Sequence, residues 1–367
     1  MLTLDHNRRL GALAALCLTI VATACKTSTE ETAAVGGAGG TGVGGSAAGG
    51  TGPVGGNGGS AGSTGGGGAG FTCPGAGTLH ENVTFEHDGQ TRTYHFYEAA
   101  GHEQQDRPLV FLLHGAGAAI DTHIGDWPHH VWLDIAAEEC LHLVVPQGIA
   151  TSAGPHWNDC RADCGHCGDE DDIGFLTSLL AELSSNHGVD DSRVYAAGES
   201  NGGFMALRLA QEHPELFDAV GAVIALMPAD NKCTPAADPM SVMFQVGTLD
   251  ELIPYQGGQS SSQPTGTVLS AAASVDHWVA HNQCETTPST TEIPDGPHDD
   301  ESTATLDEYD CPATSTSVAI FHLEGAGHVP PSIEIQCGPV WEGIVGKQNH
   351  DIEGAREFWS FFQRHAD

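Results

Sequence analysis

Val194-Tyr195-Ala196-Ala197-Gly198-Glu199-Ser200-Asn201-Gly202-Gly203-Phe204-Met205 passes from a short apolar run through G-x-S-x-G into a stretch where Leu207, Leu209 and Ala210 continue a helical pattern. A run this continuous has no wet face and reads as a strand buried on both sides. A serine set where a strand turns straight into a helix must hold a strained backbone. Its neighbours approach so closely that a Cβ would clash, which is why glycines surround it. The stretch therefore reads as a nucleophile elbow with Ser200 projecting above a sheet. G-x-S-x-G alone is a weak sign in a chain with 49 Gly, where a helix-capping serine gives the same letters. The strand before it and the helix after it select the elbow.

A lone serine is a weak nucleophile at neutral pH, so a histidine must take its proton and an acid must hold that histidine in the right tautomer. On such a fold the chain order is Ser, acid, His, with both partners at the ends of later strands. Val242 to Val246 runs into Gly247-Thr248-Leu249-Asp250, and Val318 to Leu323 runs into Glu324-Gly325-Ala326-Gly327-His328. Among 21 His and 48 acids, one chance candidate of each kind costs nothing, but two at strand ends in the required order do. Asp250 and His328 are the expected partners of Ser200; Glu251 is the rival acid, and Glu324 reads as a loop or salt-bridge residue. The developing oxyanion needs two donors. One is expected from the Asn201 amide at the start of the elbow helix, where orphan N–H groups and the helix dipole favour negative charge. The other is expected from the loop Leu113-His114-Gly115-Ala116-Gly117, with the Ala116 amide first and Gly115 as the alternative.

Farther out, Val83 to His87 and Thr91 to Tyr97 alternate on either side of Asp88-Gly89, a strong hairpin signal. Leu109 to Leu113, Leu143 to Val145 and Ala219 to Ala225 repeat the continuous apolar character of the elbow strand. The fold class expected is α/β, a mostly parallel sheet with an antiparallel N-terminal hairpin and helices on both faces. Ile173 to Leu183 is apolar at three-to-four spacing, with Gly188 as a C-cap, and Ile352 to His365 repeats the pattern. Gln256 to Thr267 and Thr286 to Asp310 carry no apolar period and read as surface insertions. In the second, Asp295, Asp299, Asp300 and Glu301 read as a solvated loop before they read as a calcium site.

These motifs together resemble the alpha/beta-hydrolase esterases grouped with poly(3-hydroxybutyrate) depolymerases and feruloyl esterases: HGAG at His114, VVPQG at Val144, HWN at His156, DDIGFL at Asp171, YAAGESNGG at Tyr195, VGTLDELIPY at Val246, HNQC at His281 and EGAGH at Glu324. The resemblance implies Ser200, Asp250 and His328 as the triad, in agreement with the residues read alone. It also implies pairing of Cys284 with Cys311 and disulfides among the cysteines after Trp157. Many relatives follow the catalytic histidine with Thr-Trp-Pro, whereas Val329-Pro330-Pro331 stands here, so a Trp that would line the acyl pocket is missing. Trp157, Trp278 and Trp341 are the candidates to replace it, against the plain reading of a Trp in such a chain as core. His114 and Trp157 are the side chains expected beside the substrate, with His114 shaping the turn rather than serving as a second base. No separate polymer-binding domain is visible.

The chain outside these motifs is of two kinds. Residues 36–70 hold 20 Gly in 35 positions, with Ala, Ser and Thr filling most of the rest, and cannot bury a core. Arg8 and Arg9 precede an apolar run, Leu10 to Ala24, shorter than the roughly 20 residues a membrane span needs. It ends in Ala22-Thr23-Ala24-Cys25, which resembles a bacterial lipoprotein cleavage site with Cys25 lipidated; plain secretion is the alternative. The expected organisation is a signal peptide over 1–25, a disordered Gly-rich linker over 26–72 and one catalytic domain over 73–367. The charge is 12 basic against 48 acidic residues, net -36. The charges of residues 1–72 cancel, so the excess lies on the catalytic domain and excludes nucleic acid as a partner. Membrane contact is expected only through the N-terminal lipid.

Past Cys25 the chain has nine cysteines, Cys73, Cys140, Cys160, Cys164, Cys167, Cys233, Cys284, Cys311 and Cys337, and disulfides in an oxidising compartment are the plain reading. The odd count predicts a free thiol, assigned to Cys140. Cys164-Gly165-His166-Cys167 matches the redox motif of disulfide isomerases, and with Cys160, His156 and His166 could be drawn as a zinc site. Its surroundings, Asn158, Asp159, Asp163, Gly165, Gly168 and Asp169, read as a loop, so Cys160, Cys164 and Cys167 are expected in structural disulfides. The reading is a secreted or cell-surface serine carboxylester hydrolase that works through an acyl-enzyme, with no cofactor and no metal. Its substrates would be feruloyl or acetyl esters of polysaccharide, or hydroxyalkanoate (polyhydroxybutyrate-type) esters. The alternative is a thiol-disulfide or metal-binding protein using the Cys160–Cys167 loop on an inactive hydrolase scaffold.

Overall fold

Among the described residues, ten strands form one sheet. In chain order they are β1 (Thr78–His87), β2 (Gln90–Glu98), β3 (Arg107–Leu113), β4 (His142–Pro146), β5 (Val189–Glu199), β6 (Ala219–Val223), β7 (Ser241–Gly247), β8 (Ser289–Glu292), β9 (Thr303–Cys311) and β10 (Thr316–Glu324). Across the sheet they lie β8-β9-β10-β7-β6-β5-β3-β4-β2-β1. Neighbours from β10 through β4 pair parallel, and the strands beyond them on each edge pair antiparallel. The β1–β2 turn is the Asp88-Gly89 pair, with φ 51° and 75°, as a type I′ turn requires.

The coordinates are a computed structural model that describes residues 25–27, 73, 75–125, 127–151, 154–165, 167–259, 266–296, 298 and 300–366. Residues 1–28 with 73–367 form one compact unit, and residues 29–72 a second. The second unit lies outside the described residues, as do the expected signal segment up to Ala24, His166 and Asp299. Among the described residues no helix is long and apolar enough to cross a membrane.

The doubly buried strands explain their own sequences. Leu109, Phe111 and Leu113 point into one hydrophobic cluster and Val110 and Leu112 into the other, all with no exposed surface. The helices longer than one turn among the described residues are α1 (Val131–Glu139), α2 (Asp172–Asn186), α3 (Asn201–Glu212), α4 (Ala271–His281), α5 (Pro339–Val345) and α6 (Gly354–Gln363). Apolar residues of α2, α3 and α4 fill the first cluster, and those of α1 and α6 the second. α2 begins at Asp171, which accepts a hydrogen bond from the Gly174 amide, and Gly188, at φ 59°, lies one residue past its C-cap. The α/β-hydrolase fold expected from the sequence is present.

The stretch expected as a surface insertion over residues 286–310 instead supplies β8 and β9. Every residue of β8 is exposed, and β9 is mostly half-buried, so a strand at a wet sheet edge carried no apolar signal. Within that stretch two of the acidic residues have ordinary protein partners: Asp300 accepts from the Ser302 and His350 amides, and Glu301 pairs with Lys347.

One cysteine expectation is overturned. Cys140 is not a free thiol but is bonded to Cys73. Cys25 is bonded to Cys337, and Cys25–Thr27 pairs antiparallel with Ile335–Cys337. A thioether lipid on Cys25 would use the same sulfur. Counting Cys25 as a body cysteine makes ten, which removes the odd one out. Cys284–Cys311 is formed as the resemblance implied. Cys160 pairs with Cys233, 73 residues away, and Cys164 with Cys167. Replacing Cys160 and Cys233 together by Ala is expected to cost about 2–4 kcal/mol through the freed loop, measured by denaturant unfolding.

Candidate active site

β5 ends at Glu199 and α3 begins at Asn201, leaving Ser200 alone to turn the chain, at φ 50° and ψ -117°. This backbone is costly for a residue with a Cβ and is held by its surroundings. The Ser200 amide donates to the Val223 carbonyl at 3.0 Å. A Cβ on Gly198 would run into the Gly202 carbonyl, and one on Gly202 into the Leu113 carbonyl. These approaches seat the elbow against the loop that follows β3. Gly202→Ala is therefore expected to lower stability by about 1–3 kcal/mol by overpacking, and to reduce kcat because relief must come from the elbow or that loop. Thermal unfolding and kcat on a soluble ester check it.

His328 follows β10 and bridges the other two residues: its Nε2 is 3.1 Å from Ser200 Oγ and its Nδ1 2.7 Å from Asp250 Oδ2. A carboxylate only accepts, so Nδ1 carries the proton and Nε2 is left to accept from the serine hydroxyl. Asp250 follows β7 and is buried; its other oxygen accepts from the amides of Leu252 and Ile253, each at 2.8 Å. The His328 amide donates to the Val345 carbonyl at 2.6 Å, which ties the histidine loop to the end of α5. Glu251 and Glu324 are both exposed, and the acid that reaches His328 is Asp250.

Ala116 is exposed, and its amide has no hydrogen-bond partner among the described residues, whereas the Gly117 and Ala118 amides are used by Pro155 and Gly115. Asn201 is the first residue of α3, so no earlier turn offers its amide an acceptor. Its side chain is fully engaged: Oδ1 accepts from the Trp157 amide at 2.8 Å, and Nδ2 donates to the Trp157 carbonyl and to Asp159 Oδ2.

The two side chains expected beside substrate are elsewhere. His114 and Trp157 have no exposed surface, and Trp157 Nε1 donates to the His114 carbonyl at 3.0 Å. His114 Nδ1 donates to the Gly115 carbonyl at 2.7 Å, and Nε2 accepts from the Gly148 amide at 2.9 Å and from the Gln147 amide group. Both shape the loop after β3 from below. Burial lowers the His114 pKa to about 4. Its folded value thus lies below the ordinary one near 6.5, so the stability it contributes is present above about pH 6.5 and lost as pH falls toward 4, at up to about 1.4 kcal/mol per pH unit. Unfolding free energies at pH 7, 6 and 5 should fall at least that steeply, since burial lowers His142 and His365 to about 4 as well. His114→Asn should flatten it by close to one proton.

The cysteine loop is tied to the same helix start. Asp159 and Arg161 form a buried pair at 2.6 Å, Arg161 covers the Phe204 ring at 3.9 Å, and Asp159 receives the Asn201 side chain. With Cys160, Cys164 and Cys167 in disulfides, no thiolate is offered to a metal, and His156 is turned onto the Gly154 carbonyl at 2.8 Å. The loop positions α3, and Cys164 and Cys167 lie in irregular chain before α2 rather than at the helix start that lowers a redox thiol's pKa, which favours structural disulfides.

The sequence reading missed what lies under the nucleophile. Glu199 Oε2 accepts from Trp127 Nε1 and from His129 Nε2, the latter at 2.8 Å, and all three residues are buried. Trp127 in turn meets Trp341 of α5 edge to face at 5.4 Å. The one available signal was an acid at the variable position before the serine.

Residues 87–289 match the esterase family described as "Putative esterase", a segment that holds Ser200 and Asp250. The chain is 32% identical over 185 residues to "Putative esterase NocK" of Nocardia uniformis subsp. tsuyamanensis, covering 49% of this chain and 51% of that protein. It is 31% identical over 150 residues to "Feruloyl esterase B" of Piromyces equi, covering 38% and 25%. The match thus spans about half of the first relative and a quarter of the second. The solved acetyl xylan esterase from Aspergillus awamori superposes with a TM-score of 0.50 at 13% identity, over 78% of this chain and 100% of that one, a likeness of fold. With more than half its length inside the matched segment, the chain belongs to the esterase family.

Proposed function

We propose that the protein is an exported serine carboxylester hydrolase that works through an acyl-enzyme at Ser200. The observation that carries this reading is His328 reaching Ser200 Oγ and Asp250 at once. In the first half-reaction Ser200 Oγ attacks the ester carbonyl as its proton passes to His328 Nε2, and Asp250 stabilises the imidazolium. The carbonyl oxygen takes the negative charge, with the amides of Asn201 and Ala116 as its donors. Collapse breaks the bond to the alcohol, which leaves with the proton from His328. Water, deprotonated by the same nitrogen, then attacks the acyl group and restores Ser200.

Feruloyl or acetyl esters of polysaccharide are the substrates proposed first, with hydroxyalkanoate esters second. The names of the relatives support the first class, and exposed apolar side chains stand next to Asp250 in sequence and on α5, whose end holds the His328 amide. Leu249, next to Asp250, is 64% exposed, and Val340 on α5 is 68% exposed. Trp341 on the same helix is half-buried. Five disulfides support an oxidising compartment. Hydrolysis of p-nitrophenyl acetate, p-nitrophenyl butyrate and methyl ferulate, each with the wild type and with Ser200→Ala, tests the reading. Turnover that depends on Ser200 supports it, the acetate to ferulate ratio ranks the acyl groups, and no turnover of any ester would contradict it.

A further inference from the structure

His123, His129 and Glu199 bring one ring nitrogen each and one carboxylate oxygen within 4.8 Å of one another. The three residues are only 2%, 4% and 8% exposed. Their imidazole rings lie 4.4 Å apart, centre to centre, and His129 Nε2 is 2.8 Å from Glu199 Oε2. Two donors at about 2.0–2.2 Å on one tetrahedral ion lie about 3.3–3.6 Å apart, so this pair need open by only about half an ångström to hold one. A purely hydrogen-bonded arrangement accounts for His129 and Glu199, yet it leaves His123 Nε2 buried with no partner among the described residues.

We propose that His123, His129 and Glu199 form a binding site for one divalent transition-metal ion of the zinc class. Two imidazoles and one carboxylate suit zinc, whereas calcium and magnesium take oxygen donors. Trp127 Nε1, which donates to Glu199, supplies the outer hydrogen bond that orients a carboxylate ligand. The ion lies outside the triad's proton path. It joins the segment 123–129, downstream of the loop after β3, to the residue preceding Ser200, and its role is to hold the elbow in place.

The test starts from protein stripped with a chelator and dialysed. Titration with zinc chloride, in excess calcium and magnesium, should give one equivalent bound per chain and a rise in Tm that calcium alone does not produce. His129→Gln and His123→Gln should each weaken binding by roughly 100-fold or more, since even loss of an outer-shell partner costs about 10–100-fold. X-ray absorption of the zinc-loaded wild type needs no variant to fold, and should show a nitrogen and oxygen shell with imidazole scattering. No stoichiometric zinc binding, binding unchanged in both variants, or a shell of sulfur or of oxygen alone would each overturn the site.

Discussion

Ser200→Ala lowers kcat/KM for p-nitrophenyl acetate by about 10⁴-fold to 10⁶-fold, with the fold and thermal stability retained. The size follows from the role: without Oγ no acyl-enzyme forms, and what remains is catalysis by the oxyanion donors and by binding. Stability should hold because Ser200 makes its structural contacts through its backbone, the amide to Val223 and the carbonyl to Phe204. An alanine Cβ meets the same positive φ that the serine already bears. Steady-state kinetics beside circular dichroism separate the two effects, and a variant that kept even a tenth of the activity would remove Ser200 from the nucleophile role.

Asp250→Asn is expected to cost about 10⁴-fold in kcat while leaving the structure nearly unchanged. The cause is the tautomer. An amide at this position can present its NH2 group to His328 Nδ1, which then accepts and leaves the proton on Nε2, where it can no longer take one from Ser200. The loss should sit in kcat, because the carboxylate supports the histidine and is buried away from the mouth. Glu251→Gln serves as the control. The side chain is exposed beside Asp250, so activity within about threefold of wild type is expected if the assignment of the acid is right, since a surface substitution of this kind shifts energies by only about 0.5 kcal/mol.

The sheet centre and the meeting of Ser200, Asp250 and His328 were legible because each rests on a local rule. A strand buried on both faces must be apolar throughout, and a serine between strand and helix must be flanked by glycine. Leu109–Leu113 and Gly198–Gly203 follow those rules without help from the rest of the chain. β8 and β9 were not legible, since a strand on a wet edge needs neither an apolar face nor a period. The cysteines misled for a different reason: pairing depends on which sulfurs the fold brings together. Cys25 lies 312 residues from Cys337, while its neighbours in sequence looked like a processing site. His114 and Trp157 were rightly placed near the elbow, but adjacency in a motif does not tell whether a side chain faces substrate or core. The Glu199 group was invisible for the same cause, because His123 and His129 gain meaning only once the elbow is folded over them.

The central claim is that one side chain, Ser200, becomes acylated. The most direct test is covalent labelling of the intact protein with a fluorophosphonate, followed by intact mass and peptide mapping. The account predicts a single adduct on Ser200 in the wild type, and none in Ser200→Ala or in His328→Ala over the same time. An unlabelled wild type that is folded, or an adduct mapped to any other residue, would contradict it.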